Sequence, residues 1–150
     1  MGLAELLDIR PGVTAVIGGG GKTTLLRILG EELAAKGARV LLCATTKIFP
    51  FPDLENRTDP SEEALEKALA SRRLLCAGTP VPGTGKLTVP GIPMDRLAAL
   101  ADYVLAEADG SAGRPLKAHA PHEPVIPPEA NQTVCVVGAA GFGLPIARAA

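Results

Sequence analysis

Between residues 13 and 33 the chain runs from a mostly apolar stretch, Val13 to Ile17, through Gly18-Gly19-Gly20-Gly21-Lys22-Thr23-Thr24, into apolar positions at Leu25, Leu26, Ile28, Leu29 and Leu33. The first part reads as a buried strand and the last as a helix face, so four glycines must turn the chain between them. A strand followed at once by a helix folds that helix back onto its sheet, which points to an α/β architecture. Glycines also let a backbone approach a ligand closely and turn its N–H groups inward, and a helix that starts there adds the positive end of its dipole. A polyphosphate suits such a cradle.

In the pattern G-x-x-x-x-G-K-[ST], Lys22 would reach the β and γ phosphates of a nucleoside triphosphate and Thr23 would ligate the Mg²⁺ ion between them. Gly18, Gly19, Gly20, Gly21, Lys22, Thr23 and Thr24 are therefore the expected cofactor-binding residues, with ATP or GTP as the nucleotide. The fit has one defect. Val16 stands where the first glycine belongs, and a β-branched residue tolerates positive φ poorly, so the loop starts late. A glycine turn that binds nothing is the plain alternative, but it seldom needs four glycines followed by Lys-Thr-Thr. The dinucleotide pattern G-x-G-x-x-G fits worse, because its third position is Thr23.

The rest of the chain keeps the alternation. Lys22 to Lys36 has helical spacing and ends at Gly37, Arg39 to Ala44 is a continuous apolar run, and the prolines of Phe49 to Pro60 break structure. Ser61-Glu62-Glu63-Ala64 caps a second helix to Leu69, and Leu74 to Ala77 is a strand candidate. Thr79 to Gly91 reads as a surface excursion with a short hairpin around Lys86 to Val89. Met94 to Leu100 is helical in pattern, while Tyr103 to Ala106 and Thr133 to Val137 are buried-strand candidates. The expected fold is a three-layer α/β domain of the phosphate-loop type over residues 1–150, with a mostly parallel sheet covered on both faces.

Composition narrows the partners. With 15 basic and 16 acidic residues among 150 and only 3% aromatics, the chain has neither the charge for nucleic acid or an anionic membrane nor a stacking platform for bases. Cys43, Cys76 and Cys135 are odd in number, far apart and set in apolar runs, as reduced core cysteines are. Met1 to Arg10 is too short and too charged for a signal peptide, and no apolar run approaches ~18 residues, so the expectation is a cytoplasmic protein.

Tyr103-Val104-Leu105-Ala106-Glu107-Ala108-Asp109-Gly110 is an apolar strand that delivers acids at its carboxyl end, where open α/β sheets bind ligands. Glu107 is the expected metal ligand beside Thr23, and Lys22, Glu107 and Asp109 are the candidate catalytic residues. Asp109 has a second reading, because Asp-Gly is a common turn pair whose carboxylate bonds its own backbone. Thr45-Thr46-Lys47 ends the second strand beside the glycine loop, so Thr46 and Lys47 either sense the γ phosphate or merely cap the strand and meet solvent. Ser111 to Pro128 holds Arg114, Lys117, His119, His122 and Glu123 among five prolines, a stiff polar loop suited to substrate contacts. The spacing of His119 and His122 in a proline-broken segment offers no helical face for a metal, and solvated or acid–base histidines are the stronger reading.

These segments resemble the YqeC family of accessory proteins for selenium-dependent molybdenum hydroxylases. The residues that carry the resemblance are the loop at 18–24, Thr45-Thr46-Lys47-Ile48, Glu107-Ala108-Asp109-Gly110-Ser111-Ala112-Gly113, and the run from Arg114-Pro115-Leu116-Lys117-Ala118-His119 through Ala120-Pro121-His122-Glu123-Pro124-Val125-Ile126-Pro127. The resemblance implies a nucleotide-binding factor that helps make or insert a selenium-containing cofactor in a client molybdenum hydroxylase, and a chain that in relatives continues past residue 150. The loop is also similar to that of metal-insertion and dethiobiotin-synthetase-like ATPases, but Ile17 stands where their extra lysine would be. Two activities are expected from this reading: NTP hydrolysis or phosphoryl transfer, or a nucleotide-switched adaptor that docks on its client without turnover.

Overall fold

The computed structural model describes residues 1–150. In chain order the elements are α1 (Leu3–Leu6), β1 (Gly12–Gly18), α2 (Lys22–Ala35), β2 (Val40–Ala44), β3 (Glu55–Thr58), α3 (Glu62–Ser71), β4 (Leu74–Val81), β5 (Lys86–Thr88), α4 (Met94–Leu100), β6 (Tyr103–Glu107), β7 (Ala130–Val136) and α5 (Ile146–Ala149), with a single 3₁₀ turn at Ala139–Gly141. Six strands form a parallel sheet in the order β3-β4-β2-β6-β1-β7, and β5 pairs antiparallel with β4. The α/β class and the parallel sheet expected from the sequence are both present.

Period-2 alternation along the strands divides the core into two layers. Val40, Leu42 and Leu105 face α1 and α2, packing with Leu26, Leu29 and Leu33. Leu41, Cys43, Val104 and Ala106 face the other way, against Leu65 and Leu69 of α3 and Leu97 of α4. Because both faces are covered, β2 is buried at every position and reads in sequence as one apolar run. Gly30 lets α2 sit close to the sheet, since a Cβ there would lie 2.8 Å from Leu74 Cδ1. The Ser61 hydroxyl accepts the Ala64 N–H at 3.1 Å and caps α3, as its sequence promised.

Three expectations need correction. The proline-broken stretch from Phe49 to Pro60 still contains a strand, β3, because only its inner side must pair with β4 and the edge position leaves the other side free. Cys135 is exposed, unlike Cys43 and Cys76. It lies on β7 at the other edge of the sheet, where Val134 and Val136 pack against the layer on the α1 and α2 side while the opposite face, which carries Cys135, is open to solvent. The hairpin of β4 and β5 is not a free surface excursion, for Ile48 and Leu87 exchange N–H···O bonds of 2.8 Å each, and both residues are buried.

Candidate functional site

Parallel register brings the carboxyl ends of three neighbouring strands together. Val16 of β1 and Ala44 of β2 both pair with Glu107 of β6, so the glycine loop, Thr45 and the acidic segment leave the sheet side by side. A cleft of about 320 Å³ opens there between the start of α2, Glu107 and the segment around Lys47 and Phe49, within the usual range for a small-ligand site.

The loop is held by unusually close backbone approaches. Gly18 has a φ of +106° and a Cβ on it would lie 2.2 Å from the Val136 carbonyl oxygen; a Cβ on Gly19 would lie 2.0 Å from that of Pro115. Only glycine fits at either place. The Gly19 N–H donates to the Val136 carbonyl at 2.7 Å and the Gly20 N–H to that of Arg114 at 2.6 Å. The N–H groups of Gly21, Lys22, Thr23 and Thr24 find no partner within the chain, and they stand at the positive end of a 14-residue helix.

Lys22 is buried and turned inward. Its ammonium donates to the carbonyls of Gly18 at 2.7 Å and Gly19 at 3.1 Å, and lies 3.0 Å from Asp109 Oδ1. Asp109 is fully buried, and its Oδ2 accepts the Gly18 N–H at 2.9 Å and meets His119 Nε2 at 2.6 Å. Burial opposes ionisation of Asp109, but the Gly18 amide, His119 and Lys22 outweigh it and hold the carboxyl below its ordinary value. The carboxylate makes no bond to the backbone of its own Asp-Gly turn. Glu107 accepts the Thr23 hydroxyl proton at 2.9 Å. Its carboxyl is pushed above the usual range, chiefly by burial, with the Thr23 and Lys22 contacts pulling the other way and Asp109 adding to the rise. Two carboxylates two positions apart in the chain thus sit in opposite electrostatic settings.

The remaining residues singled out in the sequence divide. Lys47 lines the cleft. Thr46 turns its carbonyl to the Thr88 hydroxyl at 2.6 Å, and its own hydroxyl is buried without a partner. His119 joins the site through Asp109, whereas Lys117 and Glu123 pair with each other at 2.7 Å. That contact, against the smaller cost of burial, holds the Glu123 carboxyl low. Arg114 contributes only its backbone to the loop, since its guanidinium donates to the carbonyls of Ala147 and Ala150. His122 is exposed and makes no hydrogen bond. Lys86 and Phe49 also line the cleft, although neither was a candidate in the sequence. The one sequence signal was the apolar–polar alternation through Lys86-Leu87-Thr88; which segment the hairpin would pair with was not legible. A larger hollow of about 800 Å³ lies at the β3 edge, but Arg57 and Arg72 there are both paired with Glu55.

The donors available for a cation are the Thr23 hydroxyl and the Glu107 carboxylate, both hard oxygens, and no group of three or more His, Cys, Asp or Glu side chains converges anywhere. That set fits Mg²⁺, which takes one or two protein oxygens and completes its shell with water and phosphate. No helix is long and apolar enough to cross a membrane.

Comparison with known proteins agrees with the motifs. A family model described as "YqeC protein" matches residues 14–150. A curated relative, "Uncharacterized protein YqeC" from Escherichia coli (strain K12), is 38% identical over 146 residues, covering 91% of this chain and 56% of its own length. The chain therefore spans little more than half of that relative. No solved structure matches. On the family match and the extent of that identity, the chain belongs to the YqeC family.

Proposed function

We propose that this domain binds a Mg²⁺-nucleoside triphosphate, ATP or GTP, at the glycine loop and works as an accessory factor in the maturation of a selenium-dependent molybdenum hydroxylase. The observation that carries the nucleotide reading is the set of unpartnered N–H groups from Gly21 to Thr24, at a cleft that Gly21, Lys22 and Thr23 line and that also holds the Thr23–Glu107 oxygen pair. Amides and a helix dipole receive phosphate oxygens, and two hard oxygens receive the cation. The client follows from the resemblance of the 107–127 segment to the family, and belongs to the whole protein rather than to this domain alone.

In this reading the loop amides and Lys22 neutralise phosphate charge, Thr23 and Glu107 hold Mg²⁺, and Asp109 orients His119 by accepting from its Nε2–H. When bound, Mg²⁺ would neutralise charge on the phosphate oxygens. The three N–H donors of Lys22 are spent on Gly18, Gly19 and Asp109, so it must give up at least one of these contacts to reach a phosphate. This requirement favours a second reading, a nucleotide-driven switch. Freeing Lys22 changes the environment of Asp109, just before the Ser111–Pro128 segment, and through it of His119 on that segment, so nucleotide binding would alter a surface available to a client.

Calorimetric titration with MgATP and MgGTP, with phosphate release followed in the same samples, tests both. Binding lost in Lys22→Ala supports the loop. Release abolished in Glu107→Gln with binding retained supports catalysis, and binding without release supports the switch. No binding of either nucleotide refutes the proposal.

A further inference from the structure

Opposite the glycine loop, the cleft is walled by two short segments locked to each other. Ile48 and Leu87 pair antiparallel with two hydrogen bonds of 2.8 Å, and the Thr88 hydroxyl donates to the Thr46 carbonyl at 2.6 Å. Ile48 and Leu87 turn into the core that packs on α2. By alternation their neighbours Lys47, Phe49 and Lys86 turn outward, and all three line the cleft. The Lys86 ammonium sits over the Phe49 ring, 4.8 Å from its centroid, a contact that restricts a long flexible side chain. Phe49 is 60% exposed, so packing in the core does not account for an aromatic ring at the mouth of the cleft.

Charge makes the wall distinctive. Lys47 and Lys86 have no carboxylate partner, although most cations of the chain do. The only carboxylate lining the cleft is Glu107, already engaged with Thr23. Two unpaired ammonium groups held on a fixed tongue, facing unpartnered backbone amides, leave the space between them positive on both sides.

We propose that Lys47 and Lys86, the latter positioned by Phe49, form an oxyanion-binding tongue across the cleft from the glycine loop, occupied by a phosphate-like group lying outside the diphosphate that the loop itself holds. This deepens the nucleotide reading and rests on it. The tongue meets either the terminal phosphoryl group of the nucleotide or a separate anionic co-substrate placed against it; both have the same chemistry.

The test is calorimetry on the purified chain with MgATP, with MgADP, and with inorganic phosphate added to the MgADP-loaded protein, for wild type, Lys47→Ala, Lys86→Ala, the double variant of the two, Lys86→Arg, Phe49→Ala and Lys22→Ala. Losing one charged hydrogen-bonding partner corresponds to about a ten- to hundredfold loss of affinity. If Lys86→Ala weakens MgATP by about that factor and leaves MgADP within about twofold, with Lys86→Arg restoring much of the loss, the tongue binds the terminal phosphoryl group. If both nucleotides are unaffected but phosphate binding to the MgADP-loaded chain is lost, the tongue binds a separate anion. Phe49→Ala should produce a smaller loss of the same kind, about two- to fivefold. Equal losses for MgADP and MgATP, or no change in any titration with both lysines replaced, overturn the proposal. If wild type binds no nucleotide, the nucleotide reading fails by itself; the tongue is then judged by phosphate binding to the bare chain, supported if Lys86→Ala weakens it and refuted if phosphate does not bind or only Lys22→Ala matters.

Discussion

Asp109→Asn removes the charge that balances Lys22 and leaves the shape nearly unchanged. Both groups are buried, Lys22 at 3% and Asp109 at 0% exposure. Breaking one side of a buried ion pair costs about 3–5 kcal/mol, because the other charge stays uncompensated. Two circumstances moderate it here. Lys22 keeps the carbonyls of Gly18 and Gly19, and an asparagine oxygen can accept either from Lys22 or from the Gly18 N–H now bonded at 2.9 Å. The loss should therefore fall at the low end, about 3 kcal/mol. For 150 residues that lowers Tm by about 6–12 °C, at roughly 2–4 °C per kcal/mol. The assay is urea and thermal denaturation followed by circular dichroism, with Lys22→Met and the double variant closing a cycle. The double variant should be less destabilised than the sum of the singles by well over ~0.5 kcal/mol. The pH dependence has a definite sign: the Asp109 carboxyl is lower in the folded state, so its contribution is present above the ordinary aspartate value, about 3.9, and fades as pH falls through the folded one. The gap between wild type and Asp109→Asn must narrow in acid. A loss below about 1 kcal/mol at neutral pH, together with an additive cycle, would refute the pairing as a structural element.

Glu107→Gln should behave oppositely. The folded Glu107 carboxyl is raised, first by burial, so its contribution is complete below about 4.3 and is lost as pH rises through the folded value. The stability of Glu107→Gln relative to wild type should then increase from acid to neutral pH in urea midpoints, and a flat difference contradicts the burial effect. Gly19→Ala places a Cβ 2.0 Å from the Pro115 carbonyl oxygen and should cost about 2–3 kcal/mol by overpacking. Gly91→Ala, where nothing lies within 4 Å, is the control, and equal stability of the two contradicts the close approach. Native labelling with a thiol reagent should modify Cys135 quickly and spare Cys43 and Cys76 until unfolding, because burial pushes the Cys76 thiol up to about 12 and that of Cys43 higher. Rapid labelling of all three would contradict the burial.

The sequence carried most of the fold because the signals were local. Leu26, Leu29 and Leu33 recur at helix spacing, β2 is buried at every position and so has an apolar side chain at each, and Ser61 supplies its own cap. Where a neighbour decided the outcome, local reading failed. Cys135 has the sequence surroundings of a core cysteine, but the face of β7 that carries it, with Asn131 and Thr133, is open to solvent. Proline-flanked Glu55 to Thr58 becomes a strand because β4 offers an unpaired edge.

At the site the division is similar. Sequence alone determined that a strand, four glycines, Lys22 and Thr23 come in that order, since each step is a property of neighbouring residues. It also identified Glu107 and Asp109 as acids at a strand end. Tertiary structure alone decided that Asp109 lies between Lys22 and His119, and that Lys47 and Lys86 share one wall. Those arrangements depend on parallel register between β1, β2 and β6 and on a hairpin pairing across 39 residues between Ile48 and Leu87. Such contacts are fixed by which buried surfaces fit one another, information spread over the whole core and not written in any single segment.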